Sequence, residues 1–587
     1  MSQYVLIFTL GPVQSFIAEA RRTQDLYAGS HILAELSRAA AQAAGGDLVY
    51  PAPGMLSNPE ASPPNKFVAI VDDPREAAIR AREAAEEKWC SFAENALQSG
   101  KLLDVTDATF TEIWERQMAC HLEFYWAAAP IKTGEYMQAY QEASRALDAR
   151  KRTRTFEQVE EDGLKDSLSG QRSALRTSQD RDARAYWTRV LQAQRSRSAL
   201  KEGERLDAIG TLKRFSVEKT FPSVSTVASA PFARACSQAG LLDELAQTIE
   251  AFNRRTGREF FYRVGDWGRG FAYDGDLLYE ETYAPIRLEA SYGKGNPIDV
   301  VAALEKLYEK AKQQGIRPNK PTPYYAVLAM DGDRMGKHIA ACQSRQEHTE
   351  LSRRQAQFAQ KVNGIVQKNG GYLVYAGGDD VLAFFPLENA LEGTNALVQQ
   401  YEEIFQDWEQ QDADGKPLPF TLSAGLAIAH HLHPLDAVLA AARDTEQKAK
   451  NHYGRNALCV SVLKRSGEPI LVGSQWNAGG QRVVSLVKNA IEDFSEERLA
   501  SRFVYEFSDQ VRALGQVKPP VIRPLLKRLL KRHRNPNKPP PKSQLDSLMA
   551  WIRAFEQAEI AEVEGGAAGE LVRWLLLARF IAQGGGE

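Results

Sequence analysis

The stretch Tyr324-Tyr325-Ala326-Val327-Leu328-Ala329-Met330 carries no charge and stops at Asp331-Gly332-Asp333. Further on, Gly371-Tyr372-Leu373-Val374-Tyr375 leads into Ala376-Gly377-Gly378-Asp379-Asp380 and then Val381-Leu382-Ala383-Phe384-Phe385. Short β-forming runs on either side of a Gly-Gly pair predict a hairpin, because glycine supplies the positive φ angles of a tight turn. Between the two parts, His348 to Lys368 lacks proline and carries Leu351, Phe358, Val362 and Val366, which predicts a helix. Strand, crossover helix and hairpin make a split βαβ unit, whose third strand lies between the first two and antiparallel to both. That topology sets Asp331 beside Asp379 and Asp380. Carboxylates crowded at one sheet edge repel one another until a cation neutralises them, and hard oxygen ligands select Mg²⁺ or Mn²⁺. The glycines let phosphate oxygens approach the backbone. These are the parts of a nucleotidyl-transfer site, in which metal ions about 3.5 to 4 Å apart clamp a triphosphate. A lone Gly-Gly-Asp-Asp also occurs as an ordinary polar turn. Its context favours the site: Thr421 to Ile428 alternates as a strand, and the following helix ends in Lys448-Ala449-Lys450 before Asn451-His452-Tyr453-Gly454-Arg455-Asn456.

Composition narrows the setting. The 587 residues are 43% hydrophobic and 25% charged, which predicts soluble globular material in about four domains. A net charge of −2 means that nucleic-acid binding must use local basic patches. Cys90, Cys120, Cys236, Cys342 and Cys459 form no CxxC pair, which argues for a reducing cytoplasm and against a disulfide framework or an intact zinc ribbon. The N-terminus lacks a signal-peptide pattern, and the apolar segment Leu571 to Ala582 is broken by Arg573 and Arg579, so no membrane span is expected.

Upstream, Tyr4 to Leu10 reads as a buried strand and Pro12 as a helix start. Strands at Asp47 to Tyr50, Lys66 to Val71 and near Leu122 to Ala129, with helices from Pro74 to about Leu97 and from Glu135 to Ala149, give a βαββαβ-like order; pattern alone favours any α+β domain here, and the resemblance of its opening motifs to a known family implies a repeat of the split unit. The expectation is α+β: two ferredoxin-like domains, residues 1–150 and 321–466, separated by a mostly helical insert (151–320) and followed by a helical bundle (467–587). In the insert, Arg176, Arg181, Arg184, Arg189, Arg195 and Arg197 interleave with Tyr186 and Trp187; a solvated helix face explains this, and RNA contact is the second reading. Lys518 to Lys542, with nine cations and Pro539-Pro540-Pro541, predicts an exposed loop flanked by helices.

Gly377-Gly378-Asp379-Asp380, Asp331-Gly332-Asp333, Ser423-Ala424-Gly425 and the run Ala449-Lys450 through Gly454-Arg455-Asn456 resemble the GGDEF and class III cyclase palm, in the Gly-Gly-Asp-Asp form typical of the large subunit of type III CRISPR effector complexes. Gly11-Pro12-Val13-Gln14-Ser15-Phe16-Ile17, the run Arg21 to Ser30 and Asn65-Lys66-Phe67 resemble the opening of the Cmr-type (III-B) large subunit, and the chain's last helix and glycine tail resemble its ending. Residues 163–170 resemble that family's zinc knuckle, but Asp166, Ser169 and Asp207 stand where cysteines are expected, which implies a metal-free relic. No His-Asp doublet occurs among the nine histidines, so the family's HD nuclease activity is not expected.

The resemblance implies a signalling subunit of an RNA-guided antiviral complex, partnered by other Cmr subunits, guide crRNA and target RNA, that makes cyclic oligoadenylates from ATP. By it, Asp331 and Asp379 hold Mg²⁺ with the Gly332 carbonyl, Asp380 completes the acidic edge, and Asp333, Gly377 and Gly378 line the nucleotide. Lys450 takes the triphosphate, Ser423 positions the nucleotide, and Gln14 and Ser30 face a second ATP. Two other readings are a silent scaffold, disfavoured by three clustered carboxylates that are costly without a cation, and a stand-alone cyclase, for which the insert and basic segments are superfluous.

Overall fold

A computed structural model describes residues 3–585 except 59–60, 103–104, 133–134, 154–160, 194–199, 258, 466–467, 516–518, 534, 536–543 and 558–565. Ten strands build its two large sheets: β1 (Tyr4–Gly11), β2 (Asp47–Tyr50), β3 (Lys66–Val71), β4 (Glu123–Pro130), β5 (Tyr324–Gly332), β6 (Tyr372–Gly377), β7 (Asp380–Pro386), β8 (Leu422–His430), β9 (Ala457–Leu463) and β10 (Ile470–Gln475). The first sheet has the order β2-β3-β1-β4 and is antiparallel throughout. The second has the order β10-β9-β8-β5-β7-β6, antiparallel except where β8 runs parallel to β9. The segment β6-β7-β5-β8 thus repeats β2-β3-β1-β4 strand for strand, the doubled split unit that the family resemblance implied. β10 carries the second sheet past residue 466.

The second sheet is covered on both faces, which explains why β5 is an unbroken apolar run. Ala326, Leu328 and Met330 face one core with helices Arg345–Lys368 and Ala390–Phe405 and the C-terminal helices. Tyr325, Val327 and Ala329 face another core with helix Leu435–Asn451 and side chains of the first domain and insert. The two palm-like domains pack reciprocally: helix Thr23–Ala44 of the first lies on β6, and helix Arg345–Lys368 of the second lies on β2. Between them the insert docks through Arg214, whose buried guanidinium grips Asp25 at 2.6 and 2.8 Å.

One expectation is corrected. Pro519–Arg532, read as loop, is a helix. Its first two residues are prolines, which suit a helix start, and Ile522, Leu526 and Leu529 are buried in the second domain's core, so the apolar stripe outweighs Pro524. The Pro539-Pro540-Pro541 part of that reading, and Arg195 and Arg197 of the insert's basic run, lie outside the described residues.

Candidate active site at the acidic turn

Two strands deliver the carboxylates. The pairing of β5 with β7 ends at Met330–Val381, so Asp331 and Asp380 are the next residues along each strand. Gly377 pairs with Asp380, leaving Gly378 and Asp379 as a two-residue turn. Only Gly378 has positive φ, +82°, at the first central position as a type II′ turn demands. Gly377 is needed for a different reason than expected: a Cβ there would fall 1.8 Å from the Tyr375 hydroxyl.

Asp379 points inward. It is 8% exposed, Nε2 of Gln355 donates to its Oδ1 at 3.2 Å, and the Gly332 backbone packs against its Oδ2. Burial, followed by the neighbouring Asp331 charge, pushes its carboxyl up to about 7. Asp380 reaches the surface at the rim, yet desolvation in the cleft and then Asp331, Asp379 and Glu446 push it up to about 7 as well. The countercharge is Lys450, which pairs with Asp331 and, at 2.6 Å, with Glu446. Burial works against its charge, but Asp331 and Glu446 hold its pKa above the ordinary lysine value. Gly425 makes this reach feasible: a Cβ there would lie 2.2 Å from the Glu446 amide, so helix Leu435–Asn451 lies directly on β8 and its end meets Asp331.

Asp333 and Ser423 are corrected from nucleotide contacts to organisers. Both are buried; Ser423 and Thr421 hydroxyls donate to Asp333 at 2.7 Å each, and the Asn456 amide at 2.9 Å. This carboxylate gathers β5, β8 and the loop before β9 into one rim. Around it Arg334, Arg455 and Asn456 all adopt positive φ, a strained conformation that clusters at functional sites.

The first domain contributes a residue that spacing could not announce. Tyr50, at the end of β2, brings its hydroxyl beside Gly378, and burial followed by Asp379 and Asp380 drives its pKa far above the tyrosine range, so the proton stays on. Tyr375 is raised likewise by burial and then Asp380. Two neutral phenols therefore flank the acidic turn. For Tyr375 the signal was its place two residues before Gly377; for Tyr50 and Gln355 local sequence held none.

Residues 5–94 match the N-terminal domain of CRISPR-associated protein Cmr2, and residues 324–459 match the second palm domain of Cas10/Cmr2. Both matches are to parts of Cas10/Cmr2 proteins, one in each palm-like domain of this chain. The CRISPR system Cmr subunit Cmr2 of Pyrococcus furiosus is 31% identical to it over 250 residues, which span 37% of this chain and 27% of that protein. The fold of this chain is that of a chain in type III-B Cmr-beta in the apo state, with TM-score 0.69, 12% identity, and 100% of this chain and 82% of that one covered. A Cmr-beta chain from the complex bound to cognate target RNA gives TM-score 0.65 at 12% identity, over 98% of this chain and 83% of the other.

Asp331, Asp333, Asp379, Asp380, Ser423 and Lys450 all fall in the matched second palm, whereas Gln14, Ser30 and Tyr50 fall in the matched N-terminal domain. Gln14 is exposed beside β1. Ser30 is corrected: it is 2% exposed inside helix Thr23–Ala44, its hydroxyl is enclosed, and it offers no face to a nucleotide. In the insert, Asp166 accepts from the Leu168 and Ser169 amides at 2.7 Å each and from the Ser169 hydroxyl at 2.8 Å, while Asp207 caps helix Ala208–Phe215 and binds Arg172. Hydrogen bonds to a guanidinium and to amides tie the knuckle together.

Proposed function

We propose that this chain is the signalling subunit of a type III-B CRISPR complex and joins ATP molecules into cyclic oligoadenylates. The observation that carries the reading is the geometry of Asp331, Asp379 and Asp380, which the β5–β7 pairing and the two-residue turn gather at one edge, where burial and like charge raise the Asp379 and Asp380 carboxyls, an arrangement that is costly without a cation. The donor set fits Mg²⁺ or Mn²⁺: Asp331, Asp379 and Asp380 offer hard oxygens, as does the Gly332 carbonyl, and one lysine already serves as countercharge. When bound, the metal supplies charge neutralisation for the triphosphate and a lowered pKa for the attacking hydroxyl. The chain's own residues do the rest. Gln355 and Gly332 fix the Asp379 carboxylate, Asp333 holds the rim, and Lys450 is within reach of a polyphosphate once its hold on Asp331 is relaxed. In each step a 3′-hydroxyl oxygen bonds to the α-phosphorus of a second ATP, the bond from that phosphorus to the pyrophosphate oxygen breaks, pyrophosphate departs, and the hydroxyl proton passes to water.

Guide RNA, target RNA and other Cmr subunits are the proposed partners, since the relative is named a Cmr subunit and one matching complex is bound to cognate target RNA. Zinc is not part of the proposal, and elemental analysis finding about one zinc per chain would count against it. The decisive experiment incubates the assembled complex with labelled ATP and Mg²⁺, with and without target RNA. Oligoadenylate formation should fall by about three orders of magnitude in Asp379→Ala/Asp380→Ala, the loss of several kcal/mol of transition-state stabilisation, with complex assembly unchanged. Near wild-type turnover in that variant would place the chemistry elsewhere; failure to assemble would make the turn structural and favour the scaffold reading.

A further inference from the structure

A cavity of about 580 Å³ opens where the insert meets both palms, at the end of β8 opposite Ser423. Three helices begin on its wall: Thr23–Ala44, Val224–Gln238 and Leu435–Asn451. In the first and third, the N-cap residues Arg22 and Pro434 accept no first-turn amide through a side chain. The positive ends of three helix dipoles therefore converge on one space. Arg21, Lys201 and Arg287 line the same space, and none of them has an ion-pair partner among the described residues. Nη1 of Arg287 is fully enclosed with no acceptor at all, an expensive state for a guanidinium nitrogen.

The acids nearby are already engaged. Asp274 accepts from the Ser223 hydroxyl at 2.7 Å and the Asp276 amide at 3.1 Å, and Asp276 accepts from the Tyr292 hydroxyl at 2.5 Å. On the same wall stands Trp267 at φ +45°, a conformation that bulky residues rarely adopt, with Arg269 stacked 5.6 Å from its ring. A metal is a poorer occupant. Glu281, His430 and His431 lie close enough to share one, but Nδ1 of His430 accepts from the Leu432 amide, and the two nitrogens of His431 are taken by Ser225 at 2.9 Å and Glu281 at 3.3 Å.

We infer that this cavity binds a nucleotide-sized phosphate compound, its phosphates against the helix N-termini and Arg21, Lys201 and Arg287, and its base against Trp267. Anion binding at helix N-termini and ring stacking of a base supply the two halves of the recognition. The volume lies within the range of small-molecule sites, about 300 to 1,000 Å³.

The test is calorimetric titration of ATP into the full-length protein in EDTA, where the metal-free acidic turn repels a triphosphate and the cationic cavity does not. One ATP per chain should bind with a dissociation constant below about 1 mM, and the affinity should fall as salt rises. Lys201→Gln/Arg287→Gln should weaken it about tenfold or more, with the ligand-free melting temperature unchanged, while Asp379→Ala/Asp380→Ala should leave it intact. Should the first double variant lose its melting transition, Arg21→Gln at the exposed rim takes its place, with about threefold weakening expected. Absence of binding in EDTA, binding indifferent to all these cations, or binding of a short single-stranded RNA without ATP would each overturn the proposal.

Discussion

A methyl group added to Gly332 would fall 1.9 Å from Oδ2 of Asp379, with no flexible chain to yield between them. Gly332→Ala should therefore displace a carboxylate while adding no charge and removing none. The expected result is a loss of oligoadenylate synthesis of about a hundredfold or more, with a stability cost of about 1–3 kcal/mol in denaturant unfolding. Ser423→Ala reports the other kind of residue. It takes one donor from a buried carboxylate that keeps two others, so it should cost about 1–2 kcal/mol and lower activity only as far as the Asp333 rim loosens. The acids themselves were legible because they sit in one short motif. The burial of Asp333 and Ser423 was not, because it depends on a register between β5 and β8 and on Asn456, all distant in sequence. Tyr50 was still less legible, since the other domain supplies it.

Elements were legible wherever periodicity was long. β5, the hairpin and helix Arg345–Lys368 follow the apolar pattern to within a few residues, and the order of strands followed from the handedness of crossovers. The segment 519–532 was misread because charge and proline are local signals, while its helical state comes from what its leucines touch. That contrast is measurable. Leu529→Ala should cost about 2–5 kcal/mol, as at a buried core position, whereas Val521→Ser, at a side 53% exposed, should stay within about 0.5 kcal/mol. Equal and small effects from both would return the segment to a loop. The same lesson holds at helix Ala208–Phe215, where Asp207 acts as an N-cap, although the sequence resemblance places it at a lost metal position.

At the scale of the whole molecule, Glu570 ties the C-terminal bundle to the second palm. It is 1% exposed, accepts from the Gly473 amide of β10 at 3.1 Å and from Arg573 at 3.2 Å, and burial pushes its carboxyl up from 4.5 to about 7. A raised acid pKa stabilises the fold fully below 4.5, and that contribution is lost as pH climbs through about 7, by up to a few kcal/mol. Glu570→Gln keeps the acceptor and removes the titration, so its melting temperature should fall less than that of the wild type between pH 4.5 and 7.5. Parallel curves would detach Glu570 from the pH response. The reciprocal packing of the two palms has a different consequence. Their strand orders coincide, yet the connection between β2 and β3, which occupies the place of the acidic turn, contains Glu60 as its single acid. A nearly twofold pair of sheets thus carries its cluster of acids on one side alone among the described residues. Under the proposed chemistry, every new 3′ end must return to the same turn before the next bond forms, so growth has a direction.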